Sequence, residues 1–205
     1  MSKHPSKIEE LITKLCPNGV EFKELGECVE KNIGGGTPSK ANANYWNGDI
    51  PWASVGDLSI PGITINSTRN FITSEGLKNS SSHLVPKDSV IVAVKISPGK
   101  MKIANDNIAI NQDLRGLVLH DFLNNRFLTY YFQTLIVIGN GTIVKGITVD
   151  YLNKIKIPVP PLAVQEEIVK ILNSFTQLEA ELEARKKQYK HYRTTLLTFN
   201  ERERE

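Results

Sequence analysis

The fold of this chain is decided by residues 158–199, which read PVPPLAVQEEIVKILNSFTQLEAELEARKKQYKHYRTTLLTF. The Pro-Val-Pro-Pro opening interrupts any preceding element and favours the start of a helix. Residues 162–199 contain neither glycine nor proline, and their apolar side chains recur mostly at alternating steps of three and four. This spacing predicts one helix of roughly 57 Å with an apolar stripe along one side.

The apolar stripe, called the seam below, follows the a and d positions of a heptad repeat. It consists of Ile168, Ile171, Phe175, Leu178, Leu182, Tyr189, Tyr192, Leu196 and Phe199. Arg185 occupies the polar position in the repeat, where a charged side chain can fix register or partner choice. Because a long apolar stripe must be buried, we expect a coiled coil with another chain or domain. A helix that folds back on its own domain is the alternative.

Residues 1–160 precede the long helix and predict a mixed globular domain. A first helix over residues 6–16 is indicated by a capping pair, Ser6 and Glu9, and by apolar residues at helical spacing. The rest is rich in Gly, Asn and Ser and holds short apolar runs, which are typical of short strands joined by loops. Strands are predicted over residues 89–96, 115–119 and 152–159, and a helix capped by Asp121 is predicted over residues 121–135.

These elements together predict an α+β fold. A globular domain of short strands and loops over residues 1–160 is followed by one long coiled-coil-forming helix over residues 161–200. Residues 201–205 are all charged and are expected to fray.

The composition of the 205-residue chain is that of an ordinary globular protein, with 40% hydrophobic and 23% charged residues. No window approaches the ~18 apolar residues of a membrane span, and the charged start is not a secretory signal. The two cysteines, Cys16 and Cys28, form no disulfide framework and no zinc quartet. We therefore expect reduced thiols, a cytoplasmic location and no membrane partner.

The net charge of +3 is unevenly distributed. Residues 31–160 carry thirteen basic and eight acidic side chains, whereas acidic side chains prevail in residues 1–30 and the two kinds balance in residues 161–205. This is a mild bias toward a polyanionic partner, weaker than the dense basic stripe of a strongly basic DNA-binding protein.

Several catalytic patterns are absent from the sequence. There is no Asn/Asp-Pro-Pro-aromatic tetrapeptide of an amino-methyltransferase and no Gly-rich phosphate loop ending in Lys-Ser/Thr. A nuclease site with Asp88 and Lys95 would need a second carboxylate where Ala93 stands, and the four histidines show no ligand spacing. We therefore expect no catalytic residue, metal site or cofactor, with a small nuclease or transferase as the enzymatic alternative.

A set of short motifs resembles a known family. In the globular part they lie at residues 36–40 (GTPSK), 45–52 (YWNGDIPW), 55–57 (VGD) and 108–114 (IAINQDL). Around the long helix they lie at residues 155–162 (IKIPVPPL), 165–169 (QEEIV), 183–189 (EARKKQY) and 192–193 (YR). In this order and spacing they resemble the DNA specificity subunit of a type I restriction–modification system, over about residues 8–199.

The resemblance implies a non-catalytic subunit whose globular part is a target recognition domain for double-stranded DNA. Modification subunits would bring S-adenosylmethionine and methylate adenine, and a restriction subunit would bring ATP- and Mg-dependent translocation and cleavage. Family members usually carry two recognition domains and two long helices, whereas this sequence has one of each and no internal repeat.

The departure from the family pattern predicts a half-size specificity subunit. Paired through the seam with a second copy, it would read an inverted-repeat, bipartite site. Pairing with a different half-size chain would give an asymmetric site. A non-catalytic coiled-coil adaptor and a silent or truncated cassette remain the alternatives.

Four loops supply the candidate DNA-binding residues. They are Gly36, Thr37, Ser39 and Lys40 in a glycine loop; Lys95, Ser97, Lys100 and Lys102 around a turn; Asn111 and Gln112; and Asn140, Thr142 and Lys145. Backbone amides and lysines suit phosphates, and Asn and Gln suit adenine edges. Plain turns, solvated lysines and partners for buried backbone are the competing interpretations, and Tyr45, Trp46 and Trp52 are expected in the core.

Overall fold

The computed structural model describes residues 6–141 and 145–199, so the predicted frayed tail at residues 201–205 lies outside the described residues. The helices are α1 Lys7–Leu15, α2 Ser74–Lys78, α3 Asn125–Thr134, α4 Val149–Asn153 and α5 Leu162–Leu197. The strands are β1 Phe22–Glu24, β2 Val29–Gly34, β3 Trp46–Ala53, β4 Thr64–Ile65, β5 Asn70–Ile72, β6 Leu84–Val85, β7 Val90–Ala93, β8 Met101–Ala104, β9 Ile108–Ile110, β10 Leu114–Leu119 and β11 Lys156–Pro158.

The strands form three sheets. A five-stranded sheet has the order β2-β10-β7-β8-β4, a four-stranded sheet has the order β5-β3-β9-β6, and β1 pairs with β11. Most neighbours run antiparallel, but β3 and β9 run parallel, as do β4 and β8. The prediction of an α+β fold of short strands followed by one long helix is confirmed.

Strand β7 lies at the centre of the core and is buried on both faces. Val90 and Val92 face a cluster shared with α3, α4 and the start of α5, whereas Ile91 and Ala93 face a second cluster between the two large sheets. A strand covered on both sides has no polar face, which explains why its sequence is a continuous apolar run.

The first helix, α1, lies inside the predicted range of residues 6–16. The Ser6 hydroxyl accepts from the amide of Glu9, and the Glu9 carboxylate accepts from the amide of Ser6 at 2.6 Å. Lys7 forms an ion pair with Glu167 at 2.5 Å, which ties α1 to the first turns of α5.

The helix predicted over residues 121–135 begins later than expected. Residues 121–123 form a turn, and the cap is Asn124 rather than Asp121. The Asn124 side-chain oxygen accepts from the amides of Arg126 and Phe127 at 2.9 and 3.1 Å. An amide side chain at this position satisfies two free N–H groups of the first turn, which fixes the start of α3 there.

Two of the predicted strands are shorter than expected. The strand predicted over residues 152–159 is wrong in its first part, because Thr148 caps α4 and the helix buries Leu152 before β11 begins. The strand predicted over residues 89–96 ends at Ala93, because Val94 bonds to the Asp113 carbonyl and Ile96 adopts a φ of 68°.

The long helix α5 is anchored along its first four turns, up to Thr176, whose hydroxyl lies 3.3 Å from the Tyr130 hydroxyl. Val164, Gln165 and Val169 are buried against the domain, and Tyr130 donates to the Asn173 side chain at 2.8 Å. From Ser174 to Phe199 every residue is exposed. The alternative of a helix folded back on its own domain is therefore wrong for this chain, and the seam from Phe175 onward is left uncovered.

Gln165 joins the start of α5 to the turn before α3. Its side chain is fully buried and donates to the carbonyls of Phe122 and Pro160 at 2.9 and 2.7 Å. It also accepts from the amide of Asn124 at 2.8 Å.

In the parts of the chain described, no helix is long and apolar enough to cross a bilayer.

Candidate nucleic-acid interface

Two clefts together are lined by six of the thirteen candidate residues. The first, called the tryptophan cleft, has a volume of about 700 Å³ and lies where the parallel strands β3 and β9 end. It is lined by Thr37, Lys40, Trp46, Asn47, Trp52, Ser54, Asn70, Asn111 and Gln112. Four of these side chains carry amides, and Lys40 lines the same cleft, so the cleft offers both donors and acceptors to a ligand.

The two tryptophans shape this cleft and hold the loop beside it. Their rings meet edge to face at 5.3 Å, with Trp52 buried and Trp46 half-buried. The Trp52 indole N–H donates to the Gly36 carbonyl and that of Trp46 donates to the Ser39 carbonyl, both at 3.1 Å. Both indole donors are therefore engaged in fixing the loop.

Close packing constrains the conformation of the glycine loop. A Cβ on Gly35 would lie 2.3 Å from the carbonyl oxygens of Ile110 and Asn111, and a Cβ on Gly36 would lie 2.5 Å from Ser81. The Gly36 amide donates to the Ile110 carbonyl at 3.0 Å. The prediction that this amide wraps a phosphate is corrected, since its hydrogen bond belongs to the backbone of β9.

Side chains at the edge of the same loop stay accessible. Ser39 and Lys40 are exposed. The Thr37 hydroxyl donates to the Gln112 side-chain oxygen at 2.6 Å, which links the loop to the other side of the cleft. Thr37, Lys40 and Gln112 therefore line the same cleft.

Asn111 is largely committed to its own turn. It is 7% exposed, and its side-chain oxygen accepts from the Asp113 amide at 3.1 Å. Its NH2 group lies 3.4 Å from the Asp113 carboxylate. The prediction of free adenine contacts by Asn111 is therefore corrected, because the buried backbone uses its amide, whereas the neighbouring Gln112 is exposed.

The lysines around the turn between β7 and β8 separate into two groups. Lys95 and Lys100 are exposed; the first lies 3.6 Å from the Asp113 carboxylate and the second donates to the Ser59 hydroxyl. Lys102 is 4% exposed and its ammonium donates to the Ile60 carbonyl. Burial lowers the pKa of Lys102, and the charge of Lys100 lowers it further. Lys102 is therefore withdrawn from the interface.

The second cleft, called the isoleucine cleft, contains the candidates Lys95 and Asn140. It has a volume of about 640 Å³ and is lined by Lys95, Ile96, Asp113, Ile138, Asn140, Gly146, Ile147, Thr148 and Tyr151. Backbone bonds join its two sides, since Ile96 donates to the Lys145 carbonyl at 2.8 Å. Asn140 and Lys145 are exposed, and the candidate Thr142 lies outside the described residues.

Asp113 connects the two clefts. It contacts Asn111 of the tryptophan cleft and Lys95 of the isoleucine cleft. Thr37, Lys40 and Gln112 of the first cleft and Lys95 and Asn140 of the second therefore line two depressions that Asp113 joins. The exposed candidates Ser39, Lys100 and Lys145 are not among the lining residues. Across residues 6–141 and 145–199, no three His, Cys, Asp or Glu side chains cluster closely enough to hold a metal ion.

A cluster of polar side chains beside the tryptophan cleft was not predicted from the sequence. Asp57 is 1% exposed, and one of its oxygens accepts from the amide and hydroxyl of Ser54, both at 2.8 Å. The other oxygen accepts from the amide and the Nε of Arg69, both at 3.1 Å. The available signal was the Val-Gly-Asp motif at residues 55–57, which pointed to Asp57 without naming its partners.

Hydrogen bonds set the protonation of Asp57. Burial alone raises the pKa of this carboxyl, but the bonds donated by Ser54 and Arg69 outweigh burial and hold the pKa below its ordinary value of 3.8. Asp57 is therefore a carboxylate at neutral pH, and it fixes the Arg69 side chain at the rim of the cleft.

Comparison with known proteins identifies the family. The family described as "Type I restriction modification DNA specificity domain" matches residues 17–189. The chain belongs to this family, and the resemblance seen in its motifs is confirmed.

One relative and two solved structures show how far the likeness extends. The specificity subunit of the type I restriction enzyme EcoR124I/EcoR124II from Escherichia coli is 34% identical over 202 residues, covering 88% of this chain and 48% of the relative. A chain from a type I restriction–modification system, described for its complex assembly and conformational transition, superposes with a TM-score of 0.67 at 22% identity, covering 88% of this chain and 44% of that one.

The HsdS subunit from Thermoanaerobacter tengcongensis superposes with a TM-score of 0.61 at 23% identity, over 82% of this chain and 40% of that one. Because both sequence identities are low, the two structures support the fold of this chain and nothing beyond it. The chain spans about half the length of the relatives it matches.

Proposed function

We propose that this chain reads part of a DNA target for a type I restriction–modification complex and contributes no chemistry itself. The observation that carries the proposal is the family match over residues 17–189, which covers both clefts and most of α5. The exposed side chains of Lys40, Lys95, Lys100 and Gln112 suit phosphates and base edges.

The proposed partners supply the catalysis. A modification subunit with S-adenosylmethionine would methylate adenine, and a restriction subunit with ATP and Mg²⁺ would translocate and cleave DNA. The curated relative is named as the specificity subunit of a restriction enzyme, which supports a place for this chain in such a complex.

The uncovered seam supports pairing of two chains. The seam residues Phe175, Leu178, Leu182, Tyr189, Tyr192 and Leu196 are all more than half exposed. Their neighbours on α5 are exposed as well. A second copy with the same seam would bury both stripes and place a recognition domain at each end. A two-fold pair of this kind predicts an inverted-repeat target.

Base-modification sequencing tests the proposal. The chain is co-expressed with a modification subunit from its own host in cells that lack adenine methylation, and cells with the modification subunit alone serve as the control. We expect a bipartite methyl-adenine motif only when both are present. An inverted repeat supports a homodimer, an asymmetric motif points to a different second half, and the absence of any motif contradicts the proposed function.

A further inference from the structure

An exposed arginine is held rigidly at the rim of the tryptophan cleft. The Arg69 side chain is 58% exposed, yet its Nε donates to Asp57 at 3.1 Å and its Nη2 donates to the Ser54 hydroxyl at 3.0 Å. Ser54 and Asn70, on either side of this contact, line the cleft. A long exposed side chain is ordinarily mobile, so two hydrogen bonds to a buried carboxylate and its neighbour make this one exceptional.

The backbone beneath the guanidinium is adapted to it. A Cβ on Gly56 would lie 1.8 Å from Nη2 and 2.6 Å from Cζ of Arg69. The guanidinium therefore rests directly on Gly56, in space that any other residue would fill. Gly56 has a φ of −64°, which every residue adopts, so its backbone conformation does not require glycine, whereas the close approach of Arg69 does.

The two bonds leave one edge of the guanidinium available. The Nε and one hydrogen of Nη2 point toward Asp57 and Ser54. The remaining Nη2 hydrogen and the Nη1 group lie at the far end of the guanidinium and form a pair of parallel donors, called the fork below. No acceptor for them lies in residues 6–141 or 145–199. Two parallel donors of this kind match the O6 and N7 acceptors on the major-groove edge of guanine.

We propose that Arg69 reads a guanine in the DNA target, with Asp57, Ser54 and Gly56 as the residues that position it. The inference rests on the proposed DNA-reading function and adds the identity of one base and of the group that recognises it. A guanine edge accepts two hydrogen bonds from the fork in one plane, so a guanidinium that is already held in a fixed orientation loses less entropy on binding it. Two phosphate oxygens can also accept such a pair of donors. A base edge is favoured here because the cleft beside Arg69 is lined by Asn70, Asn111 and Gln112, whose amides suit bases.

Modified DNA provides the sharpest test, because it leaves the protein unchanged. The duplex is the methylation target found for the assembled complex, with each guanine replaced in turn by 7-deazaguanine, which lacks N7. Inosine at the same position is the matched control, since it keeps both O6 and N7. We expect one position where 7-deazaguanine weakens binding by about 10- to 100-fold and inosine does not.

Two protein variants assign that position to Arg69. Arg69→Lys keeps the positive charge but removes the two parallel donors of the guanidinium. Gly56→Ala keeps the arginine but pushes its guanidinium out of the position it occupies against Gly56. Both are expected to weaken binding to unmodified DNA to a similar extent, to be insensitive to 7-deazaguanine at that position, and to relax the methylation motif there. Arg126→Lys, on an exposed arginine of α3, is expected to behave as wild type.

Three results would overturn the inference. The first is a recognised half-site without a guanine, and the second is equal sensitivity of wild type and both variants to 7-deazaguanine at every position. The third is uniform weakening by Arg69→Lys across unrelated sequences, which would indicate a phosphate contact. A complex that binds no specific DNA would instead contradict the proposed function, so the two failures are distinguishable.

Discussion

At the scale of single residues, Asp57 holds both its own loop and the side chain of Arg69 in place. It is almost completely buried and accepts four hydrogen bonds, two from Ser54 and two from Arg69. A buried carboxylate without partners would be strongly destabilising, whereas a fully bonded one organises the loop around it. The loop between β3 and β5 thus depends on one charge, and so does the orientation of Arg69.

Asp57→Asn is expected to lower the free energy of unfolding by about 1–3 kcal/mol at neutral pH, because the amide replaces an acceptor oxygen with a donor. The pKa of Asp57 is depressed in the folded protein, so its stabilising effect is full above the ordinary value of 3.8 and is lost as the pH falls through the lower folded value. The difference between wild type and variant should therefore shrink below about pH 4 in urea denaturation.

Asp121→Asn, at an exposed aspartate, is the matched control for this pH dependence. A stability difference for Asp57→Asn that stays constant from pH 7 to pH 2.5 would contradict the assigned role of the carboxylate. So would an equal effect of the two substitutions at neutral pH.

At the scale of elements, Gln165 fixes the angle at which α5 leaves the domain. Gln165→Leu removes the side chain that bonds the carbonyls of Phe122 and Pro160 and the amide of Asn124. We expect a loss of about 2–4 kcal/mol in the free energy of unfolding, since these groups lose their partner in a buried site. Gln177→Leu, at an exposed position of the same helix, should change it little. Similar urea midpoints for the two variants would show that Gln165 is dispensable.

The exposed seam carries a separate prediction about association. Leu178→Asp leaves the single chain nearly unaffected, because Leu178 is exposed there, but places an unpaired charge in a paired seam. We expect light scattering to give the mass of one chain for this variant and of two chains for wild type. Ala184→Asp, which adds the same charge off the seam, should leave the mass unchanged. A dimer that survives Leu178→Asp would exclude the seam as its contact.

The sequence predicts α5 well and the shorter elements less well, for physical reasons. The seam repeats over many turns, so its period is unambiguous and the predicted helix matches Leu162–Leu197 closely. Residues 152–159 offer only one alternating run, which fits a strand and the end of a short helix equally. Thr148, which decides the matter by capping α4, lies outside that run.

The candidate site was predictable only to the level of loops. Lys100 and Lys102 are two residues apart in similar surroundings of sequence, yet one is exposed and the other is buried against the Ile60 carbonyl. That difference arises from β4 pairing with β8, a contact between distant segments that no local pattern encodes. Arg69 was missed for the same reason, because its partners Ser54 and Asp57 become significant only through the fold.

At the scale of the whole molecule, we propose that the exposed lysines supply the electrostatic part of the DNA interface. Lys100→Ala is expected to weaken DNA binding about equally for specific and unrelated sequences, and to reduce the slope of log affinity against log salt by about one. Lys14→Ala, on the exposed side of α1, is the control and should keep the wild-type slope. An unchanged affinity of Lys100→Ala at low salt would remove the turn between β7 and β8 from the interface.

Under the proposed pairing, the projecting part of α5 makes the lifetime of the chain depend on its partner. From Leu178 to Leu197 the helix extends roughly 30 Å with every residue exposed, and helices without tertiary contacts open readily in water. An unpaired chain therefore presents a segment that proteases can cleave after local opening, whereas a paired chain must first dissociate. By mass action the lifetime of the protein then rises with its own concentration, so that assembly also acts as quality control.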